Sequence, residues 1–260
     1  MNTAVHEDIL IFANVLADTA RQTLAEHAHQ DLGTSVKADK SLVTQLDVLI
    51  EERLRAKIAA RFPEHGIIGE EHENLRPGAS HVWVLDPIDG TAHFVAGLPT
   101  FGTLIAMAVD GVSVMGLIDA PAAQLRWQGA RGHPTRCNGR TVTTRACGDL
   151  SEALFMVGNR DRFLPEQLPG LDALRAAAGT CVYGGACWSH ARLSEGRVDL
   201  SLDAWQGIYD FAPFRPIIEG AGGVVTDWQG KPLTLQSDGN ILTAGSAQLH
   251  RQALERLHAR

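Results

Sequence analysis

The sequence predicts a layered protein with an α+β N-terminal half, residues 1–150, and an α/β C-terminal half, residues 151–260. Three observations carry this. The N-terminal half opens on two stretches of helical periodicity and continues into long apolar runs punctuated by tight-turn dipeptides. Past about residue 150, helical stretches alternate with short strands, the pattern of α/β layering. Hydrophobic residues are 45% and charged residues 20% of 260, enough for a sizeable core in one or two domains.

The elements follow in order. Ile9, Leu10, Phe12, Val15 and Leu16 recur at helical spacing, so the first ~30 residues read as a helix. A second helix starts near Thr44, because Asp47 three residues on completes a T-x-x-D start signal. Leu46, Leu49, Leu54 and Ile58 line one face of it, and Pro63 stops it. His81–Leu85 is a buried strand expected to end in Asp86, with Pro87 forcing a turn. Phe101–Val109 and Ser113–Asp119 are strands joined at Asp110-Gly111, a hairpin signal, and Asn138-Gly139 marks another turn. In the second half, Leu171–Ala178, Trp188–Ser194 and Gln248–Leu257 read as helices between strands near 181–183, 197–202, 223–228 and 240–245. Either Arg145–Ser151 or Asn159–Gly170 connects the halves.

Composition removes several function classes. Net charge is −7, which makes a poor general nucleic-acid binder. No apolar run reaches 18 residues, so no transmembrane helix is expected. The start MNTAVHEDIL has neither the basic residues nor the apolar run of a signal peptide, so a cytoplasmic location is expected. Cys137, Cys147, Cys181 and Cys187 form no CxxC and are expected to be free thiols. His27 and His29 read as a solvated helix face, since zinc needs further ligands. Trp188, Trp205 and Trp228 read as packing residues, with Trp205 also a candidate substrate wall. Gly220–Gly223 follows a helix rather than a strand, so a helix end and turn is preferred over a dinucleotide fingerprint.

The chemistry is concentrated in Trp83–Phe94, WVLDPIDGTAHF. Asp86 and Asp89 lie three residues apart at a strand end, a costly pair unless a cation sits between them. Carboxylate and carbonyl oxygens select hard divalent cations such as Mg²⁺, Mn²⁺ or Ca²⁺. Gly90 and Thr91 can open a helix whose free N–H groups favour a phosphate. Taken alone, the segment also reads as two solvated acids and a helix cap. Upstream, Glu70 and Glu71 follow a short apolar strand. Downstream, Asp210 opens a helix, where an N-cap role is the alternative.

Together these segments resemble the inositol monophosphatase family of metal-dependent phosphomonoesterases. The resemblance rests on Gly69-Glu70-Glu71, Asp86-Pro87-Ile88-Asp89-Gly90-Thr91, Tyr209-Asp210-Phe211-Ala212 running to Glu219-Gly220-Ala221-Gly222-Gly223, and Ser41-Leu42-Val43-Thr44-Gln45-Leu46-Asp47. It spans roughly residues 37 to 250 and is nearest to the bacterial histidinol-phosphate phosphatase branch. It implies alternating helix and sheet layers, a homodimer, and two or three Mg²⁺ ions per site. Glu70, Asp86 and the Ile88 carbonyl are implied for a first ion, and Asp86, Asp89 and Asp210 for a second, with Asp86 bridging. Thr91 and Asp47, with Glu70, are the implied catalytic residues that orient and help deprotonate the attacking water. Gly90 and Thr91 would bind phosphate oxygens, and Glu71 would steady Glu70.

For the substrate's organic part the resemblance points to Gly184-Gly185-Ala186 and to Asp203. Histidinol-phosphate enzymes commonly read Gly-Gly-Asp at the first place and Glu at the second. Ala186 therefore lacks a carboxylate that would meet a cationic substrate. Histidinol phosphate is the first expectation, inositol-1-phosphate or another polyol phosphate the second. A catalytically silent phosphate-binding protein is the reading from another class, and the intact acids with Thr91 argue against it.

Overall fold

A computed structural model describes residues 5–27, 33–37 and 42–258. His29 and Ser41 lie outside them. The first helix, α1, spans Glu7–His27 and buries Ala13, Leu16, Ala17 and Ala20. Two short strands, β1 (Ser35–Val36) and β2 (Leu42–Val43), pair antiparallel. Helix α2 (Gln45–Arg61) starts at the expected signal. The Thr44 side chain accepts from the Leu46 and Asp47 amides, and Asp47 Oδ2 accepts the Thr44 amide at 2.8 Å, a reciprocal capping box. Phe62 caps the helix and Pro63 forbids its continuation.

Both helices cover one face of a seven-stranded sheet ordered β3 (Gly66–Gly69), β4 (His81–Asp89), β5 (Gly102–Val109), β6 (Val112–Ala120), β7 (Leu125–Ala130), β8 (His133–Cys137), β9 (Arg140–Thr141). Only β3–β4 is parallel. Asp110 (φ 50°) with Gly111 (φ 78°) turns β5 into β6, and Asn138 (φ 47°) with Gly139 (φ 78°) turns β8 into β9. Two consecutive left-handed residues are what a tight hairpin turn requires.

One expectation is corrected here. Pro87 forces no turn, and β4 runs on through it to Asp89. Proline removes one ladder donor, and the pairing with β5 is irregular between Asp86 and Asp89, the kind of place a sheet tolerates it. The Pro87 carbonyl is still used, accepting the Thr103 hydroxyl at 2.8 Å. The turn comes at Gly90, in the left-handed region at φ 82°.

The second sheet is ordered β11 (Thr180–Tyr183), β10 (Leu154–Val157), β12 (Leu200–Asp203), β14 (Ile241–Ala244), β13 (Val224–Asp227). Its first three strands are parallel, and β14 pairs antiparallel on both sides. Short β10 is not among the expected strands. Helices α5 (Trp188–Ser194) and α7 (Phe214–Gly220) fill the space between the sheets. Helices α4 (Leu168–Ala177) and α8 (Ala247–Leu257) cover the outer face of the second sheet. The result is the expected alternation of helix and sheet layers. The last strand of the first sheet ends at Thr141 and the next strand, β10 of the second sheet, begins at Leu154.

All four cysteines are free. Gly222, at φ 91°, makes the turn that follows α7, as expected for Gly220–Gly223. Trp228 is buried and stacks on Phe163, Trp188 meets Trp127 edge-on, and Trp205 is 46% exposed. Among the described residues no helix is long and apolar enough to cross a membrane.

Candidate metal centre

Strand β4 delivers the first two acids. Asp86 is buried, and the irregular pairing beyond it places partly buried Asp89 at the same strand end. The third acid comes from the other half. Asp210 lies in α6 (Ile208–Phe211), where its Oδ2 accepts the Gly207 amide at 2.7 Å. Asp210 is therefore not the N-cap: Gly207 is, and Asp210 sits three residues on, reaching back to its amide while also joining the cluster. One carboxylate oxygen from each of Asp86, Asp89 and Asp210 lies within 4.8 Å of the other two. The single helix expected beyond Tyr209 is two, α6 and α7, broken around Ala212-Pro213.

The electrostatics show what this cluster lacks. Both Asp86 carboxylate oxygens are buried without a hydrogen-bond partner. Burial, then the charges of Glu70, Asp89, Asp210 and Asp47, push the Asp86 carboxyl well above the usual carboxylate range. Burial with Asp89 and Glu70 pushes Asp210 up to about 8. Burial also raises Asp89, against the hydrogen bond its Oδ2 accepts from the Cys187 amide at 2.5 Å. Like charges that cannot all ionise in a shared site need a cation or protons. An all-oxygen donor set with unpartnered oxygens fits a hard divalent cation.

Glu70 and Glu71 follow β3 and both bind Lys37, whose Nζ is 2.8 Å from Glu70 Oε1 and 2.7 Å from Glu71 Oε1. Glu70 thus stands beside the triplet with one oxygen committed to a lysine. Burial pulls Lys37 down, but its bonds to the two glutamates outweigh this and hold it above the ordinary lysine range. Burial pushes Glu71 up to about 7. Behind them lies buried Glu51, which accepts the Glu71 amide at 2.8 Å and the Arg55 guanidinium at 2.9 Å. Lys37 and Glu51 escaped sequence reasoning. The signal for Glu51 was present: Asp47, Glu51 and Arg55 recur at i, i+4 spacing on α2.

Asp47 and Thr91 meet as expected. Thr91 opens the short helix α3 (Thr91–Val95), and its hydroxyl lies 3.0 Å from the Ile88 carbonyl and 3.4 Å from Asp47 Oδ1. The other Asp47 oxygen takes both the amide and hydroxyl of Thr44, so the carboxylate is locked toward Thr91. Burial raises Asp47 in spite of those two bonds.

The predicted substrate-side residues lie in the second half. Gly184 (φ 83°), Gly185 (φ 118°) and Ala186 (φ 47°) form a consecutive left-handed run. A Cβ on Gly90 would lie 3.2 Å from that of Ala186, so the run abuts the β4–α3 turn. Asp203 ends β12, its side chain nearly buried. A separate cleft of about 340 Å³ is lined by Arg21, Arg126 and Arg136. Its Arg21 and Arg126 are both committed to buried Asp119, at 2.6 Å each.

The chain as a whole is similar to known proteins. The sequence model of the inositol monophosphatase family matches residues 6–260. The bifunctional phosphatase IMPL2, chloroplastic, of Arabidopsis thaliana is 37% identical over 253 residues, covering 94% of this chain and 73% of its own. A histidinol-phosphatase of Chlorobaculum parvum is 31% identical, covering 92% and 93%. An inositol monophosphatase structure from Zymomonas mobilis superposes with a TM-score of 0.90 at 38% identity, covering 99% and 100%.

Proposed function

Since this chain belongs to the inositol monophosphatase family and is a phosphomonoesterase, we propose that it hydrolyses histidinol phosphate in a magnesium-dependent reaction. The observation that carries the chemistry is the buried Asp86–Asp89–Asp210 cluster with its unpartnered Asp86 oxygens. These three acids, with Glu70 and the Ile88 carbonyl, would hold two or three Mg²⁺ ions. Bound there, Mg²⁺ supplies charge neutralisation to the ester and its leaving oxygen and makes water a better nucleophile.

The chain's own groups do the rest. Thr91 accepts a hydrogen bond from the attacking water and passes its own hydroxyl hydrogen bond to Asp47 Oδ1. Asp47 can take the proton that the water gives up through Thr91, because Thr44 locks its geometry and burial already favours its protonated form. Gly90 and Thr91 amides meet the phosphate oxygens at the start of α3. Lys37 lies between Glu70 and Glu71 and bonds both carboxylates. Gly185, Ala186 and Asp203 face the organic part of the substrate.

Histidinol phosphate is favoured by the several histidinol-phosphatases among the relatives, 30–33% identical to this chain. Inositol-1-phosphate is the second reading, favoured by Ala186, which offers no carboxylate to an ammonium group, and by the Zymomonas mobilis neighbour. The free cysteines fit a reducing, cytoplasmic setting, and a homodimer completes the proposal.

A phosphate-release screen over histidinol phosphate, inositol phosphates and sugar phosphates tests it. Activity is expected to vanish in EDTA and return with Mg²⁺ but poorly with Ca²⁺, which tolerates looser geometry. Asp89→Asn is expected to cost at least ~10²-fold in turnover through lost ion binding. Near wild-type turnover of that variant would overturn the assignment of the acids.

A further inference from the structure

We propose that His190 is a positioning residue for substrate selection, holding Asp203 as a fixed anionic acceptor for an ammonium or hydroxyl on the substrate's organic part. This rests on the phosphomonoesterase reading above. His190 lies on α5 with its side chain 1% exposed. Its Nε2 is 2.7 Å from Asp203 Oδ2 on β12, and its Nδ1 is 3.2 Å from Thr243 Oγ1 on β14. The ring stacks on Phe214 with centroids 3.8 Å apart and planes at 20°. Three separate elements thus fix one imidazole. A ring that donates from Nε2 to the carboxylate and accepts the Thr243 hydroxyl at Nδ1 satisfies every polar atom it has.

The consequence falls on Asp203. Its Oδ2 is taken by His190, so its remaining acceptor capacity is concentrated on Oδ1. That oxygen has one long contact, Gln206 Nε2 at 3.4 Å, and lies against Gly158, where any Cβ would collide with it. The helix that carries His190 is tied to the acid cluster at its start, where the Cys187 amide donates to Asp89 Oδ2 at 2.5 Å. Beside Asp203 stands Trp205, 46% exposed and held at φ 55°. An aspartate is one methylene shorter than a glutamate and cannot search for its partner. A carboxylate braced from behind by a buried ring does not have to, because orientation is settled before substrate arrives. The bland alternative is a buried pair that only stabilises the fold, and it predicts equal losses on all substrates.

The test compares histidinol phosphate with p-nitrophenyl phosphate, which carries no donor for Asp203. His190→Phe keeps a ring against Phe214 and removes both nitrogens. It is expected to raise KM for histidinol phosphate, lowering the ratio of kcat/KM between the two substrates at least ~10-fold. His190→Gln, which can still donate to Asp203, is expected to recover most of that ratio. In a double-mutant cycle, His190→Phe with Asp203→Asn should lose little more than either alone, since both remove one function. A ratio unchanged in His190→Phe, or equal losses on both substrates without rescue by His190→Gln, overturns the inference. If the wild-type protein ignores histidinol phosphate, the substrate reading fails separately. The same ratio is then taken with the ester the wild type prefers, and His190 stands or falls on it.

Discussion

Asp210 carries two duties that pull against each other. It reaches back to the Gly207 amide at the start of its own short helix, which favours the carboxylate, and it faces Asp89 and Glu70, which do not. The balance leaves its carboxyl raised to about 8, by burial first and those charges second. An unfolded aspartate titrates near ~3.9. Without divalent ions the native state therefore binds more protons than the unfolded state between these values. Stability must then fall as pH rises from about 4 towards about 8, because the slope follows the proton excess of the unfolded state, here negative. Asp86 and Asp89 are raised too and add in the same direction. The expected outcome is a Tm in EDTA that declines across this window, and an Mg²⁺-induced rise in Tm larger at pH 8 than at pH 5. A Tm in EDTA that is flat or climbs would mean that the acids do not share one electrostatic site.

Elements deliver these residues with different degrees of freedom. Strand β3 ends in Gly69, and a Cβ there would overlap the Glu51 carboxylate. Gly69 is thus a matter of close approach: it lets a buried acid on α2 reach the Glu71 amide and set the Glu70–Glu71 bend. Gly69→Ala is expected to leave the metal triplet intact yet lower kcat about 10-fold or more, because small misplacements of catalytic groups are costly. Crystallography of the variant should show the bend displaced, and an unmoved bend with full activity would refute this role. Much of this scale was legible in advance. The T-x-x-D start of α2 and the Asp110-Gly111 hairpin follow from spacing and turn chemistry, and the acids at 86 and 89 from their spacing at a strand end, all of which are local; Asp210 was legible as a ligand only through the family resemblance. What escaped was non-local. Pro87 stays within β4 because β5 and the Thr103 hydroxyl accommodate it. Strand β10 is defined by its neighbours β11 and β12. Lys37 and His190 acquire meaning only from partners on distant elements, whereas Glu51 shows a local sign in its i, i+4 spacing with Arg55.

At the scale of the molecule the two halves share their centre. The core between the sheets draws Leu104, Ile118 and Trp127 from the first, Phe214, Ile217 and Ile218 from α7, and Val225 and Ile241 from the second. Contact is backbone-close: a Cβ on Gly116 would collide with the Pro213 carbonyl, and one on Gly129 with the Ile217 backbone. A division near residue 150 is therefore proposed as topological, not as two independently stable units. The ligand set reinforces it, since Asp86 and Asp89 belong to the first half and Asp210 to the second. An ion bound only by the folded protein stabilises it by RT ln(1 + [L]/Kd), about 2.7 kcal/mol at 100 times Kd. If the halves unfold together, Mg²⁺ must move both by the same amount. Trp83 and Trp127 report on the first half, Trp188, Trp205 and Trp228 on the second. Single-tryptophan variants followed in urea are expected to give one coincident midpoint, shifted equally by Mg²⁺. Gly129→Val should lower that midpoint for reporters in both halves, since overpacking a closed core costs ~1–3 kcal/mol. Two separated transitions, or a Mg²⁺ shift confined to the reporters of one half, would show that the halves are autonomous and that the site is assembled by docking rather than by folding.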